Sequence, residues 1–149
     1  MSGRISLVTI FLVLLLISGC VAVPEISSIP SVPILTPEQQ KIQICEEIAK
    51  QYHETHIYIS NDIYDCESMA CDVWDMLKAK GIKAKIVVGN VTLPEARLKD
   101  CNHAWVVAEI SSDVWLAIEC TGGYIVYADN NPYYYRGIAF DNPKSFRDR

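Results

Sequence analysis

Residues 65–88 read DCESMACDVWDMLKAKGIKAKIVV, and the change of rhythm inside them decides the fold class. Ala70, Val73, Trp74 and Leu77 recur at three- and four-residue spacing, which lays one apolar stripe along a helix beginning near Asp65 or Cys66. Lys78 and Lys80 suit the carboxyl end of that helix, and Gly81 stops it because glycine tolerates the left-handed backbone of a helix terminus. From Ile82 to Val88 the pattern turns to alternation, the period of a strand. Upstream, Thr36 as N-cap, Pro37 at the first helical position and Gln39 completing a capping box open an earlier helix. Ile42, Cys45, Ile48, Ala49 and Tyr52 give it one buried face over about 37–54.

Downstream the helical period does not return. Gly89 to Cys101 reads as a loop, with Pro94 and the sequon Asn90-Val91-Thr92, which makes Asn90 a candidate surface glycosylation site. His103 to Ile110 and Val114 to Glu119 are strands joined by Ser111-Ser112-Asp113, a hairpin signal. A turn at Gly122-Gly123 leads to a strand over Tyr124 to Tyr127, and a last strand is expected over Tyr135 to Phe140. Two helices followed by a run of strands imply an α+β fold, with helices packed on one side of a mostly antiparallel sheet. Trp74, Trp105 and Trp115 fall on element faces and are expected in the core.

The chain of 149 residues is 50% hydrophobic and 21% charged, the composition of a globular protein. Its net charge is −5 and no Lys/Arg cluster of the kind that neutralises phosphates is present, which argues against nucleic-acid binding. Arg4 is the only charge before Glu25, and the apolar stretch Ile5–Ile17 follows it. A basic start, a signal-length apolar run and small residues before a cleavage point are the marks of an export signal. Ile17-Ser18-Gly19-Cys20 resembles a prokaryotic lipobox, in which the cysteine becomes the lipidated first residue, here Cys20. The alternative is an uncleaved anchor, since the uncharged run through Val23 just suffices to span a bilayer. Both readings make residues 1–20 a signal or membrane anchor and place the rest outside the cytoplasmic membrane. Pro24, Pro30, Pro33 and Pro37, interspersed with serines, make 21–36 an extended tether to a domain over 37–149.

A cysteine nucleophile needs its thiolate, which a helix amino end and a nearby imidazole both favour. Cys66 stands at the expected start of the second helix. His103 opens a strand expected to pack near that helix, and Glu119 ends the neighbouring strand. Pairing across the hairpin is expected to bring Glu119 opposite a residue near Cys101 to His103, within side-chain reach. Taken singly, Cys66 reads as an ordinary buried cysteine and His103 as a structural histidine. Their functional reading rests on the three occurring together. His56 is open to lining the cleft or satisfying its own loop, and Tyr133-Tyr134-Tyr135 to walling a groove or alternating between core and surface.

Asp65-Cys66-Glu67-Ser68-Met69-Ala70, Asn102-His103-Ala104-Trp105-Val106 and Trp115-Leu116-Ala117-Ile118-Glu119-Cys120-Thr121, in that order and spacing, resemble the three motifs of the transglutaminase-like superfamily. The resemblance covers about 65–140 and implies a papain-like fold with a Cys-His-Asp triad, here Cys66, His103 and Glu119. Glu119 stands where the family usually has Asp, and Cys120 where it usually has Pro. The chemistry implied is hydrolysis of peptide or isopeptide bonds, or acyl transfer to amines, without a cofactor. Peptide or protein substrates are implied, cell-wall peptides among them. The Cys66 N–H and a donor from the 56–64 loop are expected to hold the oxyanion. A domain that keeps the fold for binding or assembly without catalysis is the alternative function.

Cys45, Cys71, Cys101 and Cys120 are left once Cys20 and Cys66 are assigned. An extracytoplasmic setting permits disulfides, with Cys101–Cys120 and Cys45–Cys71 as the candidate pairs. A structural zinc held by some of Cys66, Cys71, Cys101, His103 and Cys120 is the rival use; Cys66-x4-Cys71 is a poor helical spacing for two ligands, and no metal is assigned.

Overall fold

The sheet at the centre of the domain has five strands in the spatial order 124–126, 114–119, 103–111, 84–89 and 138–140, every neighbouring pair antiparallel. The structure is a computed structural model and describes residues 34–59, 64–93 and 97–149. The signal or anchor with Cys20, and the tether up to residue 33, lie outside the described residues. Two helices, α1 (Pro37–Thr55) and α2 (Cys66–Ala79), precede β1 (Ala84–Gly89), β2 (His103–Ser111), β3 (Val114–Glu119), β4 (Tyr124–Val126) and β5 (Ile138–Phe140). A short α3 (Pro143–Arg147) closes the chain. This is an α+β arrangement, and Ile34–Arg149 forms one compact unit.

Helix α1 starts as its sequence dictates. Thr36 accepts the Gln39 N–H while the Gln39 side chain takes the Thr36 N–H at 2.9 Å. Its buried face is Cys45, Ile48, Ala49 and Tyr52. Helix α2 buries Met69, Ala70, Cys71, Val73 and Leu77, and both helices pack on the sheet face made by Ile86, Val88, Ala104, Val106, Ala108 and Ile118. Gly81, at φ 73°, turns the chain from α2 towards β1.

The hairpin loop is two residues long, because Ser111 pairs with Val114 and Asp113 takes φ 59°. Past an irregularity between Glu109 and Ser111, Val106 faces Ile118. Continued by one residue, this register sets Glu119 level with Trp105 rather than with the 101–103 stretch expected from sequence. His103 and Glu119 are therefore diagonal neighbours on adjacent strands, two residues apart along β2.

The strand expected over Tyr135 to Phe140 is only half a strand. Pro132–Tyr135 forms a 3₁₀ helix, started by Pro132 and by the Asn131 side chain accepting the Tyr133 N–H at 3.0 Å, and β5 begins at Ile138. β4 and β5 occupy opposite edges of the sheet, so the connection between them crosses the face turned away from α1 and α2. There Tyr134 joins Val87, Trp105, Val107, Ala117 and Val126 in a second apolar cluster, with Tyr135 and Trp115 against it. Trp105 is fully buried, whereas Trp74 and Trp115 are half-buried at the margins, Lys83 and Lys85 lying over the Trp115 ring. Among the described residues no helix is long and apolar enough to cross a membrane.

Candidate active site

Asp65 caps α2: its Oδ1 accepts the N–H groups of Glu67 and Ser68, each at 3.1 Å, and the next residue, Cys66, becomes the first of the helix. The approach to this tip is tied down. Ile59 and Tyr64 exchange backbone hydrogen bonds of 2.8 and 3.2 Å, and the Tyr64 hydroxyl donates to Asp72 of α2 at 2.6 Å. Tyr52 of α1 donates to the same carboxylate oxygen at 2.8 Å, so the two hydroxyls meet at Asp72. Burial first, with the hydrogen bond to Asp72 adding to it, raises the pKa of both tyrosines, which stay protonated donors. His56 takes its place in this tie, stacked on Tyr52 at 4.0 Å with Nδ1 3.0 Å from the Tyr52 carbonyl. It serves its own loop and does not line the cleft.

At the other side, His103 opens β2 opposite Gly89. Its Nε2 lies 2.6 Å from Oε2 of Glu119. An ionised carboxylate only accepts, so Nε2 carries the proton, and Cys66 lines the same cleft as the imidazole. Burial alone would lower the basicity of His103. The hydrogen bonds and charges of Cys66 and Glu119 outweigh it and raise the imidazolium from its ordinary 6.5 to about 9.

Glu119 is 3% exposed and fully occupied. Oε1 accepts from Thr121 N at 2.9 Å, from the Thr121 hydroxyl and from Gly122 N at 3.3 Å, while Oε2 accepts from His103 and from the Tyr134 hydroxyl at 2.6 Å. Burial by itself would raise this carboxyl. The His103 hydrogen bond and charge, then Thr121 and Tyr134, reverse that and hold it at about 2. The structure thus pairs His103 with Glu119 and sets Cys66 in the same cleft as His103. Tyr134 is the participant that the sequence did not single out. Nothing in three consecutive tyrosines marks the middle one; only the crossover between the sheet edges does.

Cys66 and His103 line an open cleft of about 350 Å³ with Tyr58, Asp65, Glu67, Val88, Leu98, Cys101, Asn102 and Arg149. Arg149 pairs with Glu67 and donates to the Phe146 carbonyl at 2.8 Å, which places one acidic and one basic group at the rim. Residues 60–63 of the expected oxyanion loop lie outside the described residues.

The described cysteines are all free, so neither candidate disulfide is formed in this structure. The Cys101 thiol turns to the Arg97 carbonyl at 3.4 Å, and the buried Cys120 thiol to its own strand at Ile118 O. Cys45 and Cys71 sit in the core beneath α1 and α2, where burial raises both thiols, Cys45 to about 11. Among the described residues no three His, Cys, Asp or Glu side chains converge as a metal site would require.

Asn90 corrects the glycan expectation. It is 7% exposed, its Oδ1 accepts from Thr92 N and Thr92 Oγ1 at 3.0 and 2.8 Å, and its Nδ2 points at the Asp100 carbonyl at 3.5 Å. The nitrogen a glycan would occupy is turned inward, holding the β1–β2 loop. No family model, no curated protein and no solved structure matches the chain.

Proposed function

We propose that the chain is a membrane-anchored, extracytoplasmic enzyme of the transglutaminase-like kind, with a papain-like arrangement of its site, acting on amide or peptide bonds. One observation carries this reading: His103, hydrogen-bonded through Nε2 to a buried carboxylate, lines the same open cleft as a thiol at a helix tip.

In this reading the proton of Cys66 resides on His103, and the thiolate attacks the carbonyl carbon of the substrate amide. The Cys66 N–H, at the positive end of α2, stabilises the oxyanion. As the C–N bond breaks, the imidazolium gives its proton to the departing amine, leaving a thioester on Cys66 and a neutral ring. The ring then takes a proton from water or from an acceptor amine. That nucleophile attacks the thioester, the C–S bond breaks, and the thiolate–imidazolium pair is restored. Glu119 remains ionised throughout and keeps the ring in register. The cleft is short and open, which suits a peptide strand passing across it, with hydrolysis or transfer decided by the second nucleophile.

Incubation with cell-wall peptides and with unstructured polypeptides, with and without a primary amine, tests the reading by mass spectrometry. Cleaved or amine-conjugated product is expected with the wild type and none with Cys66→Ala. A Cys66→Ala protein as active as the wild type would refute it, and a folded, inert wild type would leave the binding-module alternative.

A further inference from the structure

Oε2 of Glu119 accepts two hydrogen bonds of equal length, one from His103 Nε2 and one from the Tyr134 hydroxyl, both 2.6 Å. Tyr134 is also held by its backbone, since its carbonyl accepts the Trp105 indole N–H at 2.9 Å. The Trp105 ring lies 5.1 Å from Tyr134 and stacks near His103 at 6.0 Å. One residue of the crossover therefore grips the carboxylate with its side chain and the ring behind the imidazole with its main chain. We propose that Tyr134 is a positioning residue of this site, fixing the longer glutamate carboxylate against His103 and limiting how strongly it draws the imidazole proton. The inference rests on the catalytic reading of Cys66, His103 and Glu119, but its test does not.

The chemistry has a definite sign. A hydrogen bond to a carboxylate stabilises its charge and makes it a weaker acceptor for its other partner. Burial and the bond to Glu119 raise the Tyr134 phenol, so it remains a donor across the working pH range. Removing the hydroxyl returns that electron density to Oε2, and the imidazolium then holds its proton to higher pH. The other titratable groups facing the pair are Cys66 from α2, the buried Cys120 beside Glu119, and Tyr124 beside Tyr134. Asp65, Glu67 and Arg149 stand further out in the cleft and are untouched by the change.

NMR titration of His103 in the full chain tests this directly, whether or not a substrate is known. Tyr134→Phe keeps the ring and the carbonyl, and is expected to move the His103 midpoint upward by about half a pH unit. Tyr135→Phe is the control. It removes a hydroxyl that donates to Val126 O at 2.6 Å and does not touch Glu119, and no shift is expected. Replacement of Tyr134 by 3,5-difluorotyrosine, a stronger donor of nearly the same shape, should move the midpoint down and guards against a Phe variant that fails to fold. An unchanged midpoint in both Tyr134 proteins, a shift of the opposite sign in either, or an equal shift in Tyr135→Phe would overturn the proposal. Loss of Cys66 function with these shifts intact would instead count against the catalytic reading alone.

Discussion

A glutamate carboxylate sits on one methylene more than an aspartate's and needs partners to fix it, and Glu119 has five donors around it. Glu119→Gln keeps the shape but removes the charge that stabilises the imidazolium. Its His103 midpoint is expected to fall, and the rate of Cys66 alkylation at neutral pH to fall with it. The check is alkylation kinetics with the thermal midpoint monitored alongside. The pairing of His103 with Glu119 was legible from sequence because the two residues sit near the same end of adjacent strands joined by a short hairpin. Asn90 shows the reverse. A sequon is defined by three letters, and whether its amide faces solvent depends on a loop the letters do not describe.

The elements that aim these side chains were legible to the extent that their signals are local. The capping box of α1, the Asp65 cap of α2 and the stop at Gly81 are all written within four residues of where they act. Pairing register is not local: the irregularity between Glu109 and Ser111 offsets the two-residue turn with Asp113, and the two together leave Glu119 level with Trp105. The Tyr52–Tyr64–Asp72 tie joins α1, the following loop and α2, so Asp72→Ala is expected to cost about 1–3 kcal/mol by stranding two tyrosine hydroxyls. Chemical denaturation checks this; a change within error would mean that water replaces the carboxylate freely. Gly123 is a second joint. It has φ 73°, its N–H closes the turn onto the Glu119 carbonyl at 2.9 Å, and a Cβ would lie 2.4 Å from His53 Cβ of α1. Gly123→Ala is therefore expected to destabilise by about 1 kcal/mol or more through backbone strain alone, with the clash added, in the same unfolding experiment.

For the whole molecule, the feature hidden from sequence is the crossover from β4 to β5, which covers the sheet face away from the helices and delivers Tyr134. Strand order across a sheet depends on which edges remain open, and no residue pattern in 127–137 announces it. Nor did α3 stand out, a five-residue turn capped by Asn142 that buries Phe146 against Phe140. The buried pair makes global stability depend on pH in both directions. Glu119, ordinarily near 4.5 and held at about 2, contributes stability that is present above 4.5 and lost as pH falls towards 2. His103, ordinarily 6.5 and raised to about 9, contributes stability present below 6.5 and lost as pH rises through 9. Urea midpoints should be highest between about 4.5 and 6.5, and His103→Gln should flatten the alkaline side. A profile identical in the variant would disconnect the pair from folding.

The chemistry proposed for the cleft depends on Cys66 sharing a proton with His103. Alkylation of Cys66 by iodoacetamide, followed by intact mass from pH 4 to 10, measures that sharing directly. Faster alkylation of the wild type than of His103→Ala across the neutral range is the predicted result. Equal rates in the two proteins would contradict it.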